Sequence, residues 1–168
     1  MSGTRLAMAW SSFWGRQVAQ WGIVLAIVLV VVVVLARKAE EVQALAEMAA
    51  TKETVAALRT ALIFAFVHQQ VRPTDAPSPL DPNPFLQLDR LPPQYAGHVA
   101  MQDAAQVPPG SWFYDPVCQC VGYRLLHQQW LNQPPGSIFV GWRVIREGNG
   151  VQTLRAFAPY RWFGQSVS

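Results

Sequence analysis

The stretch "GIVLAIVLVVVVVLA", residues 22–36, holds fifteen consecutive positions without a polar side chain. Extended back through Trp21 to Val18 it reaches about nineteen residues, close to the ~20 that a helix needs to cross a bilayer core. Val30 to Val34 are all β-branched, which makes poor helix material in water. In lipid the backbone must satisfy its own hydrogen bonds, so a helix is the one single-segment solution. Trp10, Trp14 and Trp21 stand before or at the start of the run, where interfacial aromatics belong. Residues 1–20 carry Arg5 and Arg16 and no acid, whereas Glu40, Glu41 and Glu47 follow the run among Arg37 and Lys38. That bias predicts a single pass with the N-terminus cytoplasmic and the C-terminal part periplasmic. A cleaved secretory signal fits less well. Signals use about 7–15 apolar residues and a small-residue exit, but here Arg37 and Lys38 interrupt the alanines of "LARKA".

The rest of the chain is an ordinary globular composition. With 168 residues there is room for about one domain beyond the anchor. A formal charge of +3 without a dense basic cluster argues against a nucleic-acid partner. Two cysteines make no disulfide framework, so the domain must be held by its own core.

Helical grammar continues past the anchor. Ala39 to His68 contains neither Gly nor Pro and is rich in Ala and Glu, with Leu, Gln and Met, all strong helix formers. Val55, Leu58, Leu62 and Phe66 recur three and four apart, with Ala61 and Ala65 beside them, giving one apolar stripe. A thinner stripe is expected at Val42, Leu45 and Ala49. Pro73 ends the pattern, so one helix is predicted over about 18–71, roughly 80 Å at ~1.5 Å per residue. The predicted divisions are a leader 1–17, a transmembrane segment 18–36, a helical continuation 37–71, a Pro-rich loop region 72–110 and a sheet region 111–168.

Residues 72–110 hold nine prolines, which preclude a long helix or a central strand; a short helical turn is expected around Pro84 to Leu88. From Ser111 the pattern turns to strands. "SWFYDPVCQCVGYRLL" is aromatic and β-branched around a turn between Pro116 and Gly122. "SIFVGWRVIRE-GNG-VQTLRAFAPY" predicts a hairpin. The expected fold class is α+β, with the long helix covered by three or four antiparallel strands.

Particular residues add a resemblance. "AEMAATKETVAALRTAL", Ala46 to Leu62, is similar to the A-E-x-x-A-x-x-x-T-x-x-x-L-R-x-x-L stretch of one branch of pilin-like proteins. "PPQYAGH" and "VPPGSWFYDPVCQCVGYR" resemble that branch's P-x-x-Y-x-G and P-x-G-x-W-Y-x-D…L-V-Y-R signature. The similarity extends loosely from Gly15 to "PYRWF". It implies the type IV pilin or type II secretion pseudopilin fold, and a minor or tip subunit of a filament rather than an enzyme. The implied partners are the bilayer, other pilin-like subunits through the N-terminal helix, a prepilin peptidase and an inner-membrane assembly platform. Family members are cut after a Gly that precedes Phe-Thr-Leu-Ile-Glu, and counting back without gaps puts that Gly at Gly15. Arg16 then stands where Phe is usual, and Gln20 replaces the glutamate. A carboxylate in lipid needs a partner, and the family's is the new amino group of a neighbouring subunit. Gln20 can hydrogen-bond to that amine but cannot neutralise it. Either the chain is uncut or it sits where no neighbour needs the charge.

Other residues invite a chemical reading. Cys118 and Cys120 are candidate disulfide partners, although a C-x-C bridge is geometrically demanding. With His127 they fall short of a metal set, and no cofactor motif is present. His68, His98 and His127 are scattered, with no nucleophile and base arrangement, and read as surface or capping histidines. Asp115 before Pro116 suits a turn. Arg143, Arg146, Arg155 and Arg161 form a basic patch, either a solvated sheet face or a docking surface for an acidic neighbour. Trp112, Phe113, Tyr114, Trp130 and Trp162 read as core or as subunit contacts. The competing function is a membrane-tethered binding or scaffold module outside any filament.

Overall fold

The computed structural model describes residues 4–71, 82–132, 138–148 and 150–167, with side chains for those from residue 18 to 166. Helix α1 runs from Thr4 to Val71 without a break, so it begins well before the expected residue 18. Nothing in residues 4–17 stops a helix, since the single Gly15 costs only about 1 kcal/mol. The chain divides into two units, Met1–Gln43 and Ala44–Ser168.

In the first unit the apolar side chains project on every side. Val18, Trp21, Ile23, Leu29 and Leu35 are all more than half exposed. A helix that is apolar all round belongs in a nonpolar surrounding, and this one is long and apolar enough to cross a membrane. Lys38 Nζ reaches Glu41 Oε2 at 2.7 Å just beyond the run, an exposed pair of small energetic weight.

In the second unit α1 buries Ala44, Glu47, Met48, Thr51, Val55, Leu58 and Leu62. The steps of three and four are those of one helix face. Val55, Leu58 and Leu62 lie where the stripe predicted them. The thinner stripe does not: Leu45 is 39% exposed and Val42 64% exposed, and Ala49 is exposed. The buried face instead passes through polar Glu47 and Thr51, which hydropathy alone sets outside.

Eight short strands follow among the described residues: β1 (Tyr95–His98), β2 (Trp112–Asp115), β3 (Cys120–Arg124), β4 (Leu131–Asn132), β5 (Phe139–Arg146), β6 (Gln152–Ala156), β7 (Tyr160–Trp162) and β8 (Gln165–Val167). They form a five-stranded sheet in the order β1-β2-β3-β5-β6 and a three-stranded sheet β4-β7-β8. The expectation of three or four antiparallel strands is therefore corrected. β1 pairs with β2 in parallel, and it comes from the stretch predicted to be loop. Four residues long, with Gly97 at φ +85° and a register shift between Tyr95 and His98, β1 offers no alternation to read. β4, β7 and β8 are two or three residues long and too brief to carry a pattern.

The same stretch holds 3-10 turns at Pro84–Gln87 and Met101–Gln106. The first is the turn expected near Pro84, capped by Asn83 accepting from Phe85 N. Residues 72–81 and 133–137, part of the Pro-rich stretch and the "QPPGS" of the connection before β5, lie outside the described residues. The β5–β6 hairpin forms as predicted, closed by Glu147 N–H on Val151 O at 2.9 Å.

Register sorts the large sheet into two faces. On one, Trp112, Tyr114, Val121, Tyr123, Val140, Trp142 and Leu154 join Met48, Val55, Leu58 and Leu62 of α1 in a single core, with Phe85, Tyr160 and Trp162. Full burial of Leu58 or Leu62 alone stabilises by about 1.5–3 kcal/mol. On the other face Phe113, Ala104 and Val107 form a smaller cluster beneath Met101–Gln106.

Candidate functional site

Glu47 is the polar centre of the domain. Its carboxylate lies inside the seam between α1 and the chain leaving β3, with a side chain only 6% exposed. Oε1 accepts from Leu126 N at 2.7 Å and from the Tyr123 hydroxyl at 3.1 Å. Oε2 accepts from His127 N at 3.1 Å and lies 2.8 Å from His127 Nδ1. Thr51 Oγ1 donates to the Glu47 carbonyl one turn along at 2.8 Å. Two backbone N–H groups, a phenol and an imidazole therefore converge on one acid, which is how a buried carboxylate becomes affordable. Twelve residues on, Arg59 donates through Nε and Nη2 to Leu154 O at 3.3 and 3.0 Å, tying α1 to β6.

The signature residues of the sheet are placed in the same way. Trp112 is core, with its ring 4.9 Å from that of Tyr123. Asp115 Oδ2 accepts from Met101 N at 2.8 Å and so caps the start of the 3-10 turn, while Oδ1 accepts from Val117 N at 2.8 Å and folds the β2–β3 turn. Arg124 donates to the carbonyls of Ala105 and Val107 at the other end of that 3-10 turn. Gly97 and Gly110 hold φ of +85° and +79°, a region costly for any residue with a Cβ. The motif residues thus hold helix, sheet and 3-10 turn together, and none of them forms an open chemical constellation.

Of the histidines, His127 is not a surface residue. Its side chain is 14% exposed and is committed to Glu47. His98 Nε2 lies 3.1 Å from buried Asn83 Nδ2, and His68 is exposed in the last turn of α1. Trp112, Phe113, Tyr114 and Trp162 are buried; Trp130 is half-buried and stacks on Phe163 at 4.8 Å. Arg143, Arg146, Arg155 and Arg161 are all exposed, and Arg143 packs over the Phe157 ring at 5.7 Å. Cys118 and Cys120 are joined in a disulfide. A bridge that closes so short a loop adds only about 1–2 kcal/mol by chain entropy. Among the described residues no group of three or more His, Cys, Asp or Glu could hold a metal ion. Gly15 and Arg16 are in α1, and Gln20 is exposed on it.

The buried phenol of Tyr123 is held well above its ordinary range. Burial is the largest cause, followed by the charge of Glu47 and the hydrogen bond to it, against a smaller opposing bond with Thr51. Below about pH 10 both folded and unfolded states keep this proton, so its contribution is complete. As pH rises past that point the unfolded phenol ionises first. The native state then binds more protons, and stability falls with pH. Tyr123→Phe should flatten the fall of melting temperature between about pH 9 and 11. It should not abolish it, because burial also raises the Tyr160 phenol. Thermal melts of both proteins in detergent micelles, followed by circular dichroism, check this; identical slopes would detach Tyr123 from the effect.

Scans against protein-family models, curated proteins and solved structures return no match for this chain.

Proposed function

We propose that this chain is a membrane-anchored, pilin-like or pseudopilin-like subunit that takes part in assembling a type IV pilus or type II secretion filament, as a minor or tip component. The supporting observation is the division of labour along α1. Apart from Gln20, residues 18–36 are apolar and exposed on all sides, and the helix runs on unbroken into the positions that grip the sheet, Glu47, Leu58, Arg59 and Leu62. These are the motif positions that carry the resemblance to the pilin branch. The anchor sits in the inner membrane with its N-terminus cytoplasmic, and lateral contacts run along the helix. Without a GxxxG motif, those contacts are van der Waals packing of an all-apolar surface. Gln20 leaves a neighbour's amine unneutralised, which suits a subunit at the end of a filament. Arg16 makes processing after Gly15 the open choice between a cut and an uncut subunit.

The test uses the outward face of the helix. Single cysteines at Val42, Leu45 and Ala49, all exposed, are expected to cross-link in cells to another pilin-like subunit. If no position links, assembly through this helix is wrong. Replacement of residues 18–36 by an unrelated anchor should abolish incorporation; retention of function would favour a tethered module. Intact mass of the mature chain fixes the processing question, with Arg16 first if cut and Met1 or Ser2 first if not.

A further inference from the structure

The Cys118–Cys120 bridge has no part in the filament reading. As a staple it is redundant, because the turn that it closes is already fixed three times. Asp115 Oδ1 accepts from Val117 N at 2.8 Å, Asp115 pairs with Cys120 in the ladder, and Gln119 O accepts from Val144 N at 3.0 Å. Closing a loop with a sequence separation of two removes little unfolded-chain entropy.

Its surroundings are those of a reactive pair. The two cysteines differ in exposure: Cys118 is half-buried beside Val117, which is 89% exposed, whereas Cys120 is fully buried. On the outer face of the large sheet, register sets Asp115, Cys120, Arg143 and Arg155 side by side across four strands. Directly opposed residues have Cβ atoms about 4.5–5.5 Å apart, so Arg143 stands on the row next to Cys120 and Arg155 next to Arg143, with the Arg143 guanidinium resting over the Phe157 ring. Two arginines facing each other repel, and among the described residues neither has an acidic partner within ion-pair distance. Asp115, the acid in the row, has its oxygens taken by Met101 N and Val117 N.

We propose that Cys118–Cys120 is an exchangeable disulfide that accepts the thiolate of a dithiol partner at Cys118. The incoming thiolate bonds to Cys118 Sγ, and the Sγ–Sγ bond breaks. Cys120 departs as a thiolate beside Arg143, where positive charge favours the anion. The partner's second thiolate then attacks its own sulfur in the mixed disulfide and releases Cys118. The partner is oxidised to a disulfide, and this chain is reduced by two electrons. This site is independent of filament assembly and works equally well in a tethered module.

The test uses the full chain in detergent micelles, with dithiothreitol as the dithiol and intact mass after alkylation as the readout. The wild-type bridge should reduce at least about tenfold faster than the same bridge in a linear peptide spanning residues 114–124. Arg143→Ala should slow the reduction severalfold, and Arg143→Lys should restore it. With a chromogenic aromatic disulfide, the Cys118 thiol of Cys120→Ser should react at least about tenfold faster than the Cys120 thiol of Cys118→Ser. Protein isolated with two free thiols under air, equal reactivity of the two single thiols, a rate indifferent to charge at 143, or reduction no faster than in the peptide would each overturn the proposal.

Discussion

Glu47→Ala should destabilise the domain of residues 44–168 by about 3–5 kcal/mol, the range found when one partner of a buried charged network is removed. The carboxylate is nearly inaccessible and accepts from Leu126 N, His127 N and the Tyr123 hydroxyl, with His127 Nδ1 at 2.8 Å. Alanine leaves all of those groups facing a cavity. A buried donor without an acceptor costs about 1–3 kcal/mol, although water entering the cavity would relieve part of it. Glu47→Gln separates charge and acceptor number from size. One oxygen of the amide can still serve Leu126 N and Tyr123, but its NH2 faces the backbone N–H of His127. The glutamine variant should lie between wild type and alanine, at about 1–3 kcal/mol. Urea unfolding of the full chain in mild detergent, read by tryptophan emission, checks both. An alanine variant within about 1 kcal/mol of wild type would mean that the seam is not held by this acid. Since the same seam joins α1 to the sheet, an unstable Glu47→Ala variant should also fail to cross-link through residues 42–49.

The contrast between Glu47 and Leu58 explains what the sequence could and could not tell. Val55, Leu58 and Leu62 announce their face because helix period and hydropathy agree there. The hairpin around Gly148–Gly150 is equally legible, because two β-rich runs flank a turn that few other sequences favour. Glu47 sits on the same helical face, but hydropathy assigns it to solvent. Its burial depends on donors that arrive some eighty positions later, at Leu126 and His127, and no local window contains them. The motif resemblance did single out Glu47, Arg59, Asp115 and Arg124, yet only as a pattern; the hydrogen bonds give each one its physical task. β1 escaped for another reason. Its partner strand lies beyond a second proline cluster and pairs in parallel, so neither alternation nor a hairpin turn marks it.

Trp142 is the other position where a large loss is expected, and there the size of the loss depends on what replaces it. The indole is fully buried in the main core, 5.8 Å from the Trp112 ring and 6.3 Å from that of Tyr160. It belongs to the cluster that contains Leu58 and Leu62 of α1. Trp142→Ala empties the middle of the sheet's inner face and should cost about 3–5 kcal/mol. Phenylalanine is a different case. The indole Nε1–H is buried and has no hydrogen-bond partner among the described residues, a defect worth about 1–3 kcal/mol. Trp142→Phe removes that donor while keeping an aromatic ring against Trp112, so the lost volume and the removed defect offset each other. The expected net change is within about 1 kcal/mol of wild type. Parallel urea melts of the two variants decide the matter. A phenylalanine variant nearly as unstable as alanine would mean that Nε1 does have a partner in solution, most simply a water held in the core. A near-neutral phenylalanine beside a crippled alanine would show that this core requires the ring and tolerates the indole nitrogen at a loss.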